Sequence, residues 1–403
     1  MSSLLGDGMA IVRRLEEEGH EAFLVGGAVR DLLCGFPPGD LDIATDAPLE
    51  VIVSLFPSGK AIGPGGRQTF HVSAGEGFAE VCSFKAGKLR EDLVRRDFTV
   101  NALALSRGGE ILGSRRSIAD ITARILRFNG AAETRLAEDP LRALRLARLA
   151  AVLPGFSIFP EASEACASLR PSVMDCAPER IGREVGIALK GRGGVFLESL
   201  RKCGLLRTLF PWLSAREFEF KRLCGILEKL NREGASLETR AAALLSFPAS
   251  LAVPEKASGG EAALEGWKWA VRSVSEAAEL AANRRIILES PDPERMAALF
   301  ESRGSAFMDS LFQLSRHFCK GEHHFRRWSE NRRLFVSMAV RALRVEDLPS
   351  GEEIMETFSL EPEPLVGELA NAAKLRRLFP GLTSKEEALR YLSSLILKND
   401  RNE

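Results

Sequence analysis

Asp40 and Asp42 sit one residue apart in Asp40-Leu41-Asp42-Ile43-Ala44, a stretch that alternates polar and apolar side chains. In an extended segment residues i and i+2 share a face, so the two carboxylates are presented together. Paired carboxylates repel unless a cation lies between them, and such hard oxygen ligands suit Mg²⁺. Just upstream runs Leu24-Val25-Gly26-Gly27-Ala28-Val29-Arg30-Asp31. Gly26 and Gly27 allow backbone N–H groups to approach an anion that any Cβ would hold off, and Arg30 follows in the first turn of a helix-like segment, suited to phosphate. A Gly-Gly turn alone is only a turn, and Asp-x-Asp alone is more often a solvated strand edge. Together, in this order and spacing, they are the equipment of phosphoryl or nucleotidyl transfer.

The elements that must position these residues follow from periodicity. Ala22–Val25 is a short apolar run that reads as a buried strand, and Ala28–Leu33 as a helix. Leu5, Met9, Val12 and Leu15 predict a helix over residues 5–20. Further strands are expected at Leu41–Thr45, Gln68–Ser73, Phe78–Phe84 and Ala102–Leu105, with a turn at Gly63-Pro64-Gly65-Gly66. This alternating first third is α+β. From about residue 134 onward, Ala/Leu/Arg/Glu-rich segments with apolar residues every three to four positions predict helices and no strand. Breaks are placed near 125–130, near 195, and within 247–262 and 347–364.

Composition narrows the classes. The chain of 403 residues has 55 basic and 55 acidic side chains, so no global basic signature marks it as a nucleic-acid binder. Residues 85–148, however, hold 14 Lys/Arg against 8 Asp/Glu, a local basic bias. The 7 cysteines form no C-x-x-C pair, which argues for reduced thiols and against a zinc site or disulfide framework. Without a signal peptide or an apolar run of transmembrane length, the expectation is a soluble cytoplasmic protein with no membrane association. The sequence gives no indication of oligomeric state.

Leu24–Thr45 closely resembles the nucleotide-binding signature of the bacterial class II tRNA nucleotidyltransferase/poly(A) polymerase family, the enzymes that build or repair the CCA end of tRNA. The resemblance implies a polymerase-β-like nucleotidyltransferase head followed by an elongated, all-helical neck, body and tail. On this chain those become a head over 1–127, a neck with the base-reading helix over 128–195, a helical body over 196–345 and a tRNA-binding helical tail over 346–403. It also calls for a third carboxylate from a neighbouring strand. Glu80, among the apolar neighbours of Phe78–Phe84, is the candidate, as metal ligand or as base for the attacking hydroxyl; the alternative is an outward-facing strand residue. Arg95-Arg96-Asp97-Phe98-Thr99-Val100-Asn101-Ala102 resembles a second family block, in which Arg96 would grip triphosphate bidentately, while Asp97 and Asn101 cap or orient the turn.

Glu138-Asp139-Pro140-Leu141-Arg142 resembles the family's base-selecting motif. Cytosine and adenine each present an exocyclic amine beside a ring-nitrogen acceptor, so a carboxylate and a guanidinium together accept both and reject uracil and guanine. Asp139 and Arg142, three apart, are expected as neighbours on one helix face. The resemblance assigns Arg145 and Arg148 to nucleotide contact as well; three-residue steps turn each about 60° from the last, which favours Arg145 and leaves Arg148 as an ion-pair alternative. Ser172–Glu184 resembles the neck helix that braces the base reader. Arg316–Arg333 interleaves arginines with His323, His324, Phe325 and Trp328, which suits RNA and equally suits an amphipathic helix with a wet face. Pro362–Gly367 and Ser384–Leu392 resemble the family's tail thinly.

Two departures from the family bear on the product. Only Ala86–Arg90 separates Phe84-Lys85 from Glu91-Asp92, where members that add the terminal adenosine carry a longer flexible segment. The usual glycine-bearing hinge reads Gly113-Ser114-Arg115-Arg116-Ser117, which should stiffen the head–neck junction or add phosphate contacts. The resulting reading is template-independent addition of CC from CTP to the tRNA 3′ end, with Mg²⁺ and release of pyrophosphate. Complete CCA addition using ATP as well, or A addition or poly(A) synthesis, is the alternative within the family. A non-catalytic RNA-binding module and an antibiotic-modifying nucleotidyltransferase are the alternatives outside it.

Overall fold

The structure is a computed structural model that describes residues 3–62, 69–75, 77–84, 87–213, 217–247, 260–289, 291–345, 347–362 and 364–399. The Gly63–Gly66 turn, Gln68, Lys85 and Ala86 of the sequence reading lie outside the described residues. The chain divides into two compact units, one formed by residues up to 214 with 266–268, the other by 215–265 and 269–403.

The first unit opens with α1 (Ser3–Glu17), β1 (Ala22–Val25), α2 (Gly27–Leu33), β2 (Leu41–Thr45), α3 (Leu49–Leu55), β3 (Lys60–Ile62), β4 (Thr69–Ala74) and β5 (Gly77–Ser83). It continues through α4 (Leu89–Arg95), β6 (Leu103–Leu105), β7 (Ile111–Gly113) and α5 (Arg115–Ala123). The strands form one seven-stranded sheet in the order β3-β4-β5-β2-β1-β6-β7. β2 runs parallel to β5; the other neighbours are antiparallel. β2 and β1 lie side by side in the interior of the sheet, and their apolar residues are covered: Leu24 and Val25 on β1 are buried, as are Leu41 and Ile43 on β2. Each such burial stabilises by about 2 kcal/mol. α1 turns Leu5, Ile11, Val12 and Leu15 inward while Arg13 and Arg14 stay exposed, the single apolar stripe expected of a helix lying on a sheet.

The same unit then becomes mainly helical: α6 (Ala132–Glu138), α7 (Leu141–Val152), α8 (Pro160–Leu169), α9 (Pro178–Lys190), α10 (Gly193–Lys202) and α11 (Leu206–Leu209). One expectation fails here. β8 (Ile125–Leu126) and β9 (Ser157–Ile158) pair in parallel, so a two-residue strand follows residue 134. Two residues are too few to show a period of two in the sequence. α7 buries Leu141, Ala143, Leu144, Leu146, Ala147, Leu149, Ala150 and Ala151, leaving Arg142, Arg145 and Arg148 in a stripe off the core.

The second unit is helical throughout its described residues: α12 (Glu217–Arg232), α13 (Leu237–Leu245), α14 (Gly260–Gly266), α15 (Val271–Leu288), α16 (Pro293–Arg316), α17 (Gly321–Arg344), α18 (Gly351–Phe358), α19 (Pro364–Arg376) and α20 (Lys385–Asn399). In α17 the aromatic–cationic interleaving is largely internal. Trp328 Nε1 donates to the Phe312 carbonyl at 2.9 Å, and Arg332 pairs with Asp309 at 2.7 Å while lying over the Phe312 and Phe335 rings. Buried Asn331 donates to the Ile287 carbonyl at 3.1 Å, tying α17 to the end of α15. Arg326 and Arg333 remain exposed. No helix among the described residues is long and apolar enough to cross a membrane.

Candidate active site

The site is built on one row across the sheet, in which Ala104, Val25, Asp42, Glu80 and His71 are successive partners. Parallel pairing of β2 with β5 sets Glu80 opposite Asp42. Asp40 lies exposed just before β2 begins, near enough that its charge acts on Asp42. Burial raises the Asp42 pKa above the ordinary carboxylate value; Glu80 and Asp40 raise it further, while Arg96 and Arg30 pull it down. The balance is a carboxylate cluster whose negative charge the protein leaves only partly neutralised. Glu80 is half-exposed and 3.6 Å from His71 Nε2.

Over this cluster passes the Gly26 turn. Gly26 has φ +73°, and a Cβ there would fall 2.6 Å from Arg96 Nη1 and 3.3 Å from Asp42 Oδ2. Both the left-handed backbone and the close approach demand glycine. Gly27 begins α2. Arg96, held at 3.2 Å by Asp92, therefore sits against the turn and beside Asp42, and its buried Nε has no hydrogen-bond partner among the described residues. Arg30 is buried and engaged within the protein: it donates to Asp31 at 2.8 Å and to Asn101 Oδ1 at 2.7 Å.

From Arg30 a chain of polar contacts runs out of the sheet domain. Asn101 donates to Asp97 at 3.0 Å, and Asp97 accepts from Arg145 at 2.8 Å. Arg145 also lies 3.4 Å from Glu184, which pairs in turn with Arg148. Burial alone would raise the Asp97 pKa, but Arg145, Asn101 and the Phe98 N–H together hold it below the ordinary value. Arg145 and Arg148 thus both face Glu184 on α9; Arg145 also pairs with Asp97 in the sheet domain, whereas burial lowers the Arg148 pKa in spite of Glu184.

Asp139 and Arg142 are close in sequence but not neighbours on one helix face. A residue preceding proline is driven to extended backbone, and Asp139 before Pro140 has φ −155°, ψ 101°, ending α6 and standing clear of α7. Its carboxylate accepts from the Leu141 N–H at 3.2 Å and from Arg180 at 2.6 Å. Arg142 pairs with Glu138 and donates to the Arg135 carbonyl at 2.9 Å. Arg180 and Arg135 were not anticipated from the sequence. Arg135, buried, donates to the Asn129 carbonyl at 2.7 Å and the Val94 carbonyl at 2.8 Å, so it pins α6 beneath the end of α4. Its three-residue spacing from Glu138 was the available signal. At Gly113–Ser117, Ser114 caps α5 by accepting from the Ser117 N–H at 3.0 Å, and Arg115 and Arg116 project outward.

Comparisons with known proteins bear on these residues. Residues 22–88 and 67–127 match the Poly A polymerase head domain. Residues 155–216 match the probable RNA and SrmB-binding site of polymerase A. The chain is 35% identical over 259 residues to the CCA-adding enzyme of Geobacillus stearothermophilus, covering 55% of this chain and 63% of that one. It is 37% identical over 189 residues to the CC-adding tRNA nucleotidyltransferase of Shouchella clausii, covering 47% and 50%. The chain thus spans less than two thirds of the length of these curated relatives. The crystal structure of the Bacillus stearothermophilus CCA-adding enzyme in complex with CTP superposes with a TM-score of 0.76, at 29% identity and 100% coverage of both chains. The Thermotoga maritima CCA-adding enzyme complexed with tRNA shares the fold at a TM-score of 0.65 and 15% identity, over 98% of this chain and 96% of that one.

Proposed function

We propose that this chain is a member of the tRNA nucleotidyltransferase/poly(A) polymerase family, which its head and RNA-binding regions match, and that it transfers CMP from CTP to the 3′ end of tRNA. The observation that carries the reading is the under-neutralised row of Asp42 and Glu80, with Asp40, beneath a glycine turn and an arginine with an unused buried donor. Among the described residues no three His, Cys, Asp or Glu side chains converge to hold a metal ion unaided. Mg²⁺ keeps waters and takes one or two carboxylates together with substrate phosphates. The donor set is all oxygen and carries excess negative charge, so it fits such an ion. Bound at Asp40 and Asp42, the ion would stabilise charge on the transferring phosphoryl group.

In this reading the tRNA 3′-hydroxyl oxygen bonds to the α-phosphorus of CTP, the α–β phosphoanhydride bond breaks, and pyrophosphate leaves. Glu80, half-exposed beside Asp42, takes the hydroxyl proton. Arg96 donates to the triphosphate, with the N–H groups of the Gly26-Gly27 turn beneath it. Arg30 holds that turn through Asn101 rather than meeting the nucleotide directly. Asp139 accepts from the cytosine amine and Arg142 donates to the ring nitrogen, each giving up its present partner, Arg180 or Glu138. Arg145 and Arg148 fix α7 against α9.

The short connection between β5 and α4, residues 84–88, supports arrest after CC, because it leaves little chain with which to reshape the pocket for ATP. Complete CCA addition is the second reading, and it is favoured by the full-length match to a CCA-adding enzyme. The test is extension of tRNA lacking its last three nucleotides with CTP, ATP or both, resolved to single nucleotides. Two cytidines with or without ATP support the proposal; an efficiently added terminal A replaces it with CCA addition. A cytoplasmic location accords with this role.

A further inference from the structure

In the β3-β4-β5 half of the sheet one face is packed and the other stands open. On β4, Phe70, Val72 and Ala74 are buried, whereas the alternate residues Thr69, His71 and Ser73 are not. On β5, Ala79 and Val81 are buried, whereas Phe78, Glu80 and Cys82 are not. Alternate residues of a strand share a face, so the open face is continuous with the carboxylates. The row through Asp42, Glu80 and His71 runs on to Lys60 of β3, which is exposed. Asp40, one residue before the Leu41–Ala79 pair, comes level with Phe78, as Asp42 does with Glu80.

Two features set Phe78 apart from a stray surface side chain. The first is its strand. β5 lies in the interior of the sheet, between β4 and β2, where a solvent-facing position ordinarily carries a polar residue. Phe78 is nonetheless 61% exposed, with its ring beside that of His71 at a centroid distance of 6.3 Å and an angle of 47°. The second is its place, two residues from Glu80 on the same face, or about 7 Å along the strand. A nucleoside held with its hydroxyl at Glu80 brings its own base within that reach. In the proposed transfer Asp139 and Arg142 take the base of the incoming CTP, so a ring beside the carboxylates is left for the other nucleoside in the reaction.

We propose that this open face holds the 3′-terminal nucleotide of the RNA acceptor, its base stacked on Phe78 and its 3′-hydroxyl at Glu80, with Lys60 beyond His71 for the preceding phosphate. Every base has a face to stack on an aromatic ring. The ring therefore grips the end whatever base it carries, a tolerance needed when each addition changes the terminal residue. Lys60 supplies a compact charge on a flexible four-carbon stem, which suits a phosphate that moves on by one nucleotide per cycle. His71 lies 3.6 Å from Glu80 as well as beside Phe78, and so joins the stacking ring to the proton acceptor. This placement of the RNA end rests on the transfer reaction proposed for the same carboxylates and adds the position of its second substrate.

The test uses the full chain and a tRNA that lacks its last three nucleotides and ends in 5-iodouridine, irradiated without CTP so that no transfer is required. The cross-link should map to Phe78 or the adjoining His71 and fall away in Phe78→Leu, which keeps an apolar side chain at an exposed position. In steady-state CMP incorporation, Phe78→Leu should raise KM for the tRNA about 10-fold and leave KM for CTP unchanged, since stacking of a base on an aromatic ring is worth about that factor. Phe78→Tyr, which keeps a ring, should behave as the wild type. A terminal cross-link that is absent or maps elsewhere, an unchanged KM for tRNA in Phe78→Leu, or a rise in KM for CTP instead would overturn the proposal. Intact CMP incorporation by the wild type would then leave the transfer reaction standing. A cross-link at Phe78 in a protein that incorporates no CMP would instead support the site and reject the reaction.

Discussion

Two clusters of charge in the same unit are treated in opposite ways. At the neck junction Asp97, Arg145, Glu184 and Arg148 alternate in sign and each meets a partner, which holds the Asp97 pKa low although burial still lowers that of Arg148. On the sheet, Asp40, Asp42 and Glu80 share one sign; burial first, then Glu80 and Asp40, raise the Asp42 pKa against the pull of Arg96 and Arg30. Compensated charge spends its interaction energy within the protein and fixes geometry. Charge of one sign that is only partly neutralised favours a counter-charge from outside, which in the proposed function is a cation and the phosphates it accompanies. In that proposal the contrast separates positioning residues from reacting ones.

Breaking the under-compensated side should have the largest effect. Asp42→Asn or Asp40→Ala is expected to slow CMP incorporation by about 10³-fold or more, the equivalent of roughly 4 kcal/mol of transition-state stabilisation. Thermal stability should be retained, because the substitution removes a repulsive charge; steady-state kinetics beside a melting curve checks both halves.

Next in size is base selection. Asp139→Ala should erode the preference for CTP over UTP by about 10- to 100-fold in kcat/KM, since the acceptor for the cytosine amine is gone. Arg180→Gln, which only frees that carboxylate, should lower KM for CTP and leave the preference in place. Competition between CTP and UTP in one reaction measures the difference.

The compensated side should answer in stability instead. Asp97→Asn is expected to cost about 3 kcal/mol at neutral pH by removing the nearer carboxylate of Arg145 and leaving it to share Glu184 with Arg148. Because the Asp97 pKa is depressed on folding, its contribution is present above the ordinary carboxylate pKa and is lost as pH falls through the lower folded value. The wild type and the variant should therefore converge in urea denaturation as the pH drops below about 4.

The smallest expected effect is at Arg116→Ala, an exposed side chain on a capped helix, worth less than about 0.5 kcal/mol in stability. A clear loss of tRNA affinity in that variant would show that the Gly113–Ser117 departure adds phosphate contacts rather than stiffness.

How far these clusters were readable in the sequence depended on range. β1 was bounded to the residue by its apolar run and β2 by its polar–apolar alternation, and the glycine requirement at position 26 followed from local chemistry. The pairing of Asp42 with Glu80 was not local: it needs β5 to lie parallel beside β2 across a crossover, which no spacing encodes. The shared ion pairing of Arg145 and Arg148 could not be read from spacing, because Glu184 lies on another helix. Pro140 carried the signal that would have taken Asp139 off the helix, but the three-residue spacing to Arg142 was given more weight. Arg180 stood in the recognised neck segment without any cue to its contact with Asp139.

The most direct test of the contrast is binding of a divalent ion, followed by the electron paramagnetic resonance of Mn²⁺ titrated into the protein with CTP present. The wild type and Asp97→Asn, the latter at a temperature where it remains folded, should bind the ion with similar affinity, and Asp42→Asn should bind it only as weakly as CTP alone. Undiminished Mn²⁺ binding by Asp42→Asn, or its loss in folded Asp97→Asn, would contradict the division into reacting and positioning charge.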